Sequence, residues 1–284
     1  MTTLPTRTIG TDPARTRTVS CIALGAMLMG TRTDEATSFA ILDRYVEAGG
    51  SLVDTSNNYA FWVDGTRGGE SESLLGRWLR DRGIGDEISV ATKMGARPDA
   101  PGKDITARME RQSAGLLGVS NHWTWSVERA RALAAARGLP SYDVLQYAHT
   151  YLRPRTDQPY PWSPEGSSGA ADGNVLSYVA ATPGTTLVAY SPLLGGAYVR
   201  DDKPVGPQLD HPGTTARRTA LAEVAAATGA TPNQVVLSWL LGGGLPVVPL
   251  VGASSVAQLD ETLAAASLEL TADQRHRLDT AGTG

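Results

Sequence analysis

Short apolar runs recur along this chain, and each stops at a polar or small residue. Leu52-Val53 leads to Asp54, Ile88–Ala91 to Thr92-Lys93, and Leu116–Val119 to Ser120-Asn121. Tyr142–Leu145 leads to Gln146, Thr185–Ala189 to Tyr190-Ser191, and Pro246–Val251 to Gly252-Ala253-Ser254. The stretches between them carry apolar residues at helical spacing, as in Leu74, Leu75, Trp78 and Leu79. Short apolar strands alternating with helices predict a parallel sheet covered by helices. Polar groups collected at one end of the strands are the habit of a (β/α) barrel. A doubly wound dinucleotide fold more often shows an early GxGxxG turn, and none is present. The expectation is an α/β fold, one barrel domain over residues 1–284.

In detail, residues 6–20 predict a small hairpin at a barrel end, and 20–24 the first buried strand. Thr33 is expected to cap a helix with Asp34 and Glu35 in its first turn, closed by Gly49-Gly50. Helices are expected over 70–82, 126–137, 175–181, 216–228, 233–241, 256–265 and 272–278, with weak helix over 105–114. A Pro/Gly/Asp loop spans 97–104, and a longer Pro/Gly/Ser-rich loop spans about 151–173. Loops of that length in a compact domain are usually functional.

Composition excludes several classes. The 25 basic and 29 acidic residues nearly balance, so no nucleic-acid or anionic-membrane partner is expected. The single cysteine, Cys21, cannot form an internal disulfide or a cysteine-based metal site, and the four histidines show no HxxH or HExxH spacing, so no metal is expected. No apolar run has membrane-spanning length, and Met1–Arg7 does not read as a signal peptide. A cytoplasmic protein is expected.

Asp54, Tyr59 and Lys93 stand at or just beyond neighbouring strand ends. A carboxylate, a phenol and an ammonium so placed form a proton-transfer set. Phenols titrate near ~10, so a tyrosine acting as an acid at neutral pH needs a neighbouring cation, and the carboxylate can hold that cation. Phe61 and Trp62 follow directly and can wall a substrate pocket.

With these residues in view, the chain resembles the aldo-keto reductase family from about Arg7 onward. Asp54-Thr55-Ser56-Asn57-Asn58-Tyr59 is similar to its aspartate–tyrosine segment, Gly69–Gly76 to its G-x-S-E-x-x-L-G helix start, and Ala91-Thr92-Lys93 to its lysine strand. Gly118-Val119-Ser120-Asn121, Tyr190-Ser191-Pro192-Leu193, and Gly252-Ala253-Ser254-Ser255 with Gln258 and Glu261 complete six segments in order. The resemblance implies NADPH-dependent reduction of an aldehyde or ketone on a TIM-type barrel. It implies that Tyr59 is the proton donor, Lys93 lowers its pKa, and Asp54 pairs with Lys93. It implies that Tyr190 stacks on nicotinamide while Ser120, Asn121 and Gln146 hold its carboxamide. It places Ser191, Leu193 and Gly195 along the pyrophosphate, and Gly252, Ser254, Gln258 and Glu261 at the adenosine phosphate, where a helix start suits an anion. Relatives often carry arginine near Ser255; here there is none, so NADH is the alternative cofactor.

One departure stands out. Relatives carry a helix, a strand ending in a catalytic histidine and a second helix between the lysine and the GVSN segment. Here 26 residues (94–119) separate Lys93 from Ser120, with no histidine and no apolar run fit for that strand. The expected fold is therefore a barrel reduced by one strand–helix unit, which opens or strains its closure and removes a donor to the substrate carbonyl. Three explanations compete: a shortened active enzyme with a substitute donor, a shortened protein inactive toward carbonyls, and an incomplete sequence. His122 is the histidine nearest the expected site in the chain and the candidate stand-in; His149 is a weaker one. The rival function is a catalytically impaired NADPH-binding regulatory or sensing barrel. A lyase or isomerase reusing Lys93 is a third. The carbonyl substrate and the oligomeric state are not specified by these residues.

Overall fold

The structure, a computed structural model, describes residues 3–93, 116–155, 157–159 and 169–282, with the backbone of 97–98 and 105–106. In chain order, β1 (Thr6–Ile9), β2 (Arg17–Ser20) and β3 (Ala23–Gly25) precede α1 (Glu35–Glu47). β4 (Leu52–Asp54), α2 (Glu70–Arg82), β5 (Ser89–Ala91), β6 (Arg97–Pro98) and β7 (Ile105–Thr106) follow. Then come β8 (Leu117–Ser120), α3 (Thr124–Ala136), β9 (Tyr142–Ala148), α4 (Gly173–Ala181) and β10 (Thr186–Tyr190). The chain continues through α5 (Pro212–Thr228), α6 (Pro232–Leu241), β11 (Val247–Val251), α7 (Val256–Ala264) and α8 (Ala272–Thr280). β1 and β2 pair as the two strands expected from residues 6–20. The loop expected over 97–104 and the weak helix over 105–114 lie outside the described residues, apart from the short antiparallel pair β6–β7.

The chain divides into two compact units. The first comprises Met1–Arg7, Thr18–Ala114 and Leu250–Leu263. Its strands β5, β4 and β3 and the last residues of β11 are neighbours in that order and run parallel, with Asp54 opposite Ala91 and Gly25. Ile22, Leu24, Val53, Ile41, Leu42, Leu74, Trp78 and Leu259 are fully buried between these strands and the helices. α2 occupies the range expected from its apolar face, and Gly83 ends it with a left-handed φ of 68°. α1 departs by one residue from expectation: Asp34, not Thr33, is the cap and accepts from the Thr37 N–H at 2.9 Å.

The second unit comprises Thr8–Arg17, Gly115–Pro249 and Ala264–Gly284. β8, β9, β10 and the first residues of β11 run parallel in that order. Leu145, Leu187, Ala189, Val235, Leu237 and Val248 are buried at their centre. α6 starts with a full capping box, Thr231 and Gln234 satisfying each other's backbone N–H. β9 runs past Gln146 to Ala148, two residues beyond the expected strand end. α3 begins at Thr124 rather than Ser126, behind Trp123, which supplies no side-chain cap. Parallel strands alternating with helices in both units place the chain in the α/β class.

Candidate active site

In the first unit β4 ends at Asp54, whose side chain is 3% exposed. β5 ends two residues before Lys93. The register that sets Asp54 opposite Ala91 brings the two side chains together. Lys93 Nζ donates to Asp54 Oδ1 at 2.6 Å, to the Tyr59 phenol oxygen at 2.6 Å and to the Thr55 carbonyl at 2.9 Å. The Tyr59 hydroxyl donates to Asp54 Oδ1 at 3.0 Å. The ammonium also lies 4.5 Å from the centre of the Tyr59 ring. Burial holds the Lys93 pKa below the ordinary lysine value, and the Asp54 charge partly offsets this. The Lys93 backbone is tied to the same loop, its carbonyl accepting from the Asn57 N–H at 3.3 Å.

The loop that presents Tyr59 is held on its other side as well. Ala60 is fully buried with φ of 64°, a left-handed conformation that costs a non-glycine residue energy. Its carbonyl accepts from the Thr66 hydroxyl, which closes the turn. Phe61 and Trp62 follow with their rings edge to face at 5.1 Å, and Trp62 is 46% exposed.

In the second unit the ends of β8, β9 and β10 bring Ser120, Asn121, Gln146 and Tyr190 together. Ser120 stands opposite Gln146 across the ladder, and the Asn121 N–H donates to the Gln146 carbonyl at 3.2 Å. The Tyr190 hydroxyl donates to Asn121 Oδ1 at 3.1 Å, and burial raises its pKa, so the ring is neutral. Beyond Tyr190 the backbone takes positive φ at Ser191, Leu194, Gly195 and Gly196, with Leu193 leading into the turn. His122 is exposed, and its Nδ1 pairs with the Ser120 carbonyl at 2.8 Å. A cavity of about 840 Å³ in this unit is lined by His149, Arg153, Tyr190, Ser191, Gln208 and Trp239, among others. Its size lies within the usual range for small-molecule sites.

In the first unit, Gly252 and Ser254 precede α7, which carries Gln258 and Glu261. Ser254 donates through both N–H and hydroxyl to Gln258 Oε1, each at 2.9 Å, so the two expected phosphate-facing side chains bind each other. Ser255 Oγ accepts from the Gln258 N–H at 3.3 Å. Arg44 reaches α7 but is bound to Asp260 at 2.8 Å.

Two features of the site escaped the sequence. The Thr55 carbonyl is the third acceptor of the Lys93 ammonium, and every residue has a carbonyl, so nothing marks this one. Ser71, visible only as part of a motif, bonds to the Thr55 side chain at 2.8 Å. Among the described residues there is no group of three potential metal ligands and no helix long and apolar enough to cross a membrane.

A carboxylate, a phenol and an ammonium are thus joined at strand ends of a parallel α/β protein, an arrangement chemically able to move a proton. The chain belongs to the Aldo/keto reductase family, which matches residues 21–116 and 113–282, and its fold is the α/β barrel of that family. It is 30% identical to an uncharacterized oxidoreductase of Mycobacterium tuberculosis over 304 positions, covering 93% of this chain and 89% of the relative. It is 27% identical to the chloroplastic pyridoxal reductase of Arabidopsis thaliana, over 83% of this chain and 74% of the relative. It is 25% identical to the NADP(+) aldo-keto reductase yakc of Schizosaccharomyces pombe, over 94% and 88%. The mycobacterial comparison takes in about 264 of the 284 residues (93%), so about 40 of its 304 positions hold a residue in the relative and none here.

Proposed function

We propose that this chain reduces a small aldehyde or ketone to the alcohol with a nicotinamide cofactor, NADPH before NADH. The observation that carries this reading is the Lys93 ammonium 2.6 Å from both the Tyr59 oxygen and Asp54. When bound, the cofactor supplies a hydride to the carbonyl carbon. Tyr59 gives its hydroxyl proton to the carbonyl oxygen as negative charge builds there. Lys93 faces the phenol oxygen and favours the charge left on it. Asp54 neutralises Lys93 and holds it in place. Phe61 and Trp62 offer an apolar wall to the substrate.

The donor set fits a nicotinamide dinucleotide. Asn121, Ser120 and Gln146 offer amide and hydroxyl groups suited to a carboxamide, and the neutral Tyr190 ring offers a flat face. The turn through Ser191, Leu193 and Gly195, with its run of positive φ, suits a pyrophosphate. Gly252, Ser254, Gln258 and Glu261 stand around the start of α7, where backbone N–H groups suit a phosphate. No lysine or arginine lies in 252–264, which keeps NADH as the alternative. The relative named for NADP(+) supports NADPH.

Two observations bear on a second reading. The two family-matched segments meet at 113–116, and the mycobacterial relative carries about 40 positions that this chain lacks. Loss of one strand–helix unit with its histidine between Lys93 and Ser120 would account for this, and the second reading is then a cofactor-binding barrel with impaired turnover. His122 is then the candidate donor that decides between the two. NADPH consumption by the whole chain against a panel of aldehydes and ketones, beside Tyr59→Phe, tests the first reading. Turnover lost in Tyr59→Phe supports it; tight NADPH binding without turnover in either chain replaces it with the second.

A further inference from the structure

We propose that Thr55 and Ser71 are positioning residues: a buried relay of hydroxyls from the first turn of α2 aims the Thr55 carbonyl at Lys93 and so fixes the ammonium against Tyr59. The proposal rests on the reductase reading for its catalytic consequence, but not for its geometry.

An ammonium has three N–H donors, and those of Lys93 meet three oxygens: Asp54 Oδ1, the Tyr59 hydroxyl and the Thr55 carbonyl. Two of these sit on side chains. The third is a backbone carbonyl, and its direction is set by whatever fixes the peptide after Thr55. Thr55 is held on both sides. Its N–H donates to the Ala91 carbonyl at 2.8 Å, and its hydroxyl meets Ser71 Oγ at 2.8 Å. Ser71 Oγ donates to the Ala26 carbonyl at 2.7 Å. A serine hydroxyl has one hydrogen, so in the Thr55–Ser71 bond Thr55 is the donor. The relay therefore runs from the Thr55 hydroxyl to Ser71 and on to the Ala26 carbonyl. The Ala26 N–H in turn donates to the Asp54 carbonyl at 2.8 Å. The same loop of bonds thus anchors Asp54 and Thr55, two of the three residues that receive the ammonium.

Thr55 is 1% exposed and Ser71 is fully buried, so no solvent competes, and buried bonds in series strengthen one another. The first turn of α2 grips the other strand as well, because Glu72 accepts from the hydroxyl of Thr92, the residue before Lys93. One helix turn thereby holds the chain beyond β4 and beyond β5. Among the described residues the titratable groups facing Lys93 are Asp54 and Tyr59, and Glu72 acts one residue away through Thr92.

The test is a titration that needs no turnover. The chain has three lysines, Lys93, Lys103 and Lys203, so side-chain ¹³C signals of lysine-labelled protein are assignable with Lys103→Arg and Lys203→Arg. Thr55→Val keeps the shape of the side chain and removes the hydroxyl, Ser71→Ala removes the next link, and Thr55→Ser keeps the relay. The expected result is that Thr55→Val and Ser71→Ala lower the Lys93 titration midpoint, Thr55→Ser leaves it near the parent value, and the other two lysines do not move. With turnover in hand, kcat falls about tenfold or more in the first two variants at unchanged KM. An unmoved Lys93 midpoint in both Thr55→Val and Ser71→Ala, each folded by near-ultraviolet circular dichroism, overturns the proposal. A chain that binds no cofactor and turns over no carbonyl defeats the reductase reading, while the lysine titration still decides this one.

Discussion

The Lys93 ammonium lies 2.6 Å from the Tyr59 phenol oxygen and 4.5 Å from the centre of its ring, so the cation meets both the oxygen and the π face of the same side chain. In the proposed reduction, replacing it with the uncharged Lys93→Met removes the cation that faces the phenolate left after proton donation. Carbonyl reduction is expected to drop about 100-fold or more, in line with the usual worth of acid–base catalysis. Burial lowers the Lys93 pKa from its ordinary value of 10.5. The ammonium is therefore lost at a lower pH than a free lysine loses its proton, and the alkaline fall in kcat should begin below 10.5. A kcat profile flat to that pH would remove Lys93 from the chemistry.

Gly50 is fixed by its neighbour. A β-carbon added there would stand 2.5 Å from Cδ2 of the Tyr45 ring. Tyr45 cannot yield easily, because its hydroxyl bonds to Ser20 and to the Ile22 and Leu52 carbonyls, and the side chain is fully buried. Gly50→Ala should therefore destabilise the chain by about 1–3 kcal/mol, as overpacked cores do. The midpoint of urea unfolding reads this directly, and an unchanged midpoint would mean that the ring moves freely.

Asp143 in β9 accepts from the Thr11 N–H at 2.9 Å, from the Thr11 hydroxyl at 2.8 Å and from Arg131 at 3.2 Å, with its side chain 4% exposed. Removing the carboxylate strands three donors. Asp143→Ala is expected to cost about 3 kcal/mol or more, the range for breaking a buried charge pair. Asp143→Asn, which keeps acceptors, should cost less. Equal losses in the two variants would assign the effect to shape rather than to the acceptors.

α2 was readable because Leu74, Leu75 and Trp78 share a buried face and Gly83 ends the helix in a left-handed conformation. The start of α1 was off by one residue, because Thr33 and Asp34 are both capable caps and the choice depends on which oxygen reaches Thr37. The start of α3 lies two residues before the expected Ser126, since Trp123 offers no capping group to mark it. The nearness of Asp54 and Lys93 is legible from their places at neighbouring strand ends, which the parallel register brings together, while the loop after β4 carries Tyr59 to them. Ser254 and Gln258 were equally visible, yet their bond to each other depends on the turn before α7, which no residue type specifies. Gly118 belongs to the GVSN segment, and a β-carbon there would lie 2.9 Å from the Val144 carbonyl, so close approach of β8 and β9 also requires it.

The backbone N–H of His149 donates to the Tyr190 carbonyl at 3.2 Å, and its ring stands 6.1 Å from that of Trp239. Burial, aided by the positive charge of Arg153, lowers its pKa from 6.5 to about 4. In the unfolded chain the imidazole takes up a proton as pH falls through 6.5, whereas in the folded protein it stays neutral until about 4. The unfolded state binds more protons across that window, so stability falls as pH falls. The loss traceable to this residue should reach about 3 kcal/mol by the lower end of the window. His149→Gln carries no such proton. The stability difference between parent and variant, followed by urea unfolding from pH 7 downward, should therefore be constant above 6.5 and shift by that amount in the variant's favour toward 4. A difference that stays level over the whole range would mean that the imidazole is protonated in the folded protein, and hence that water or an anion reaches it in the cavity beside Tyr190.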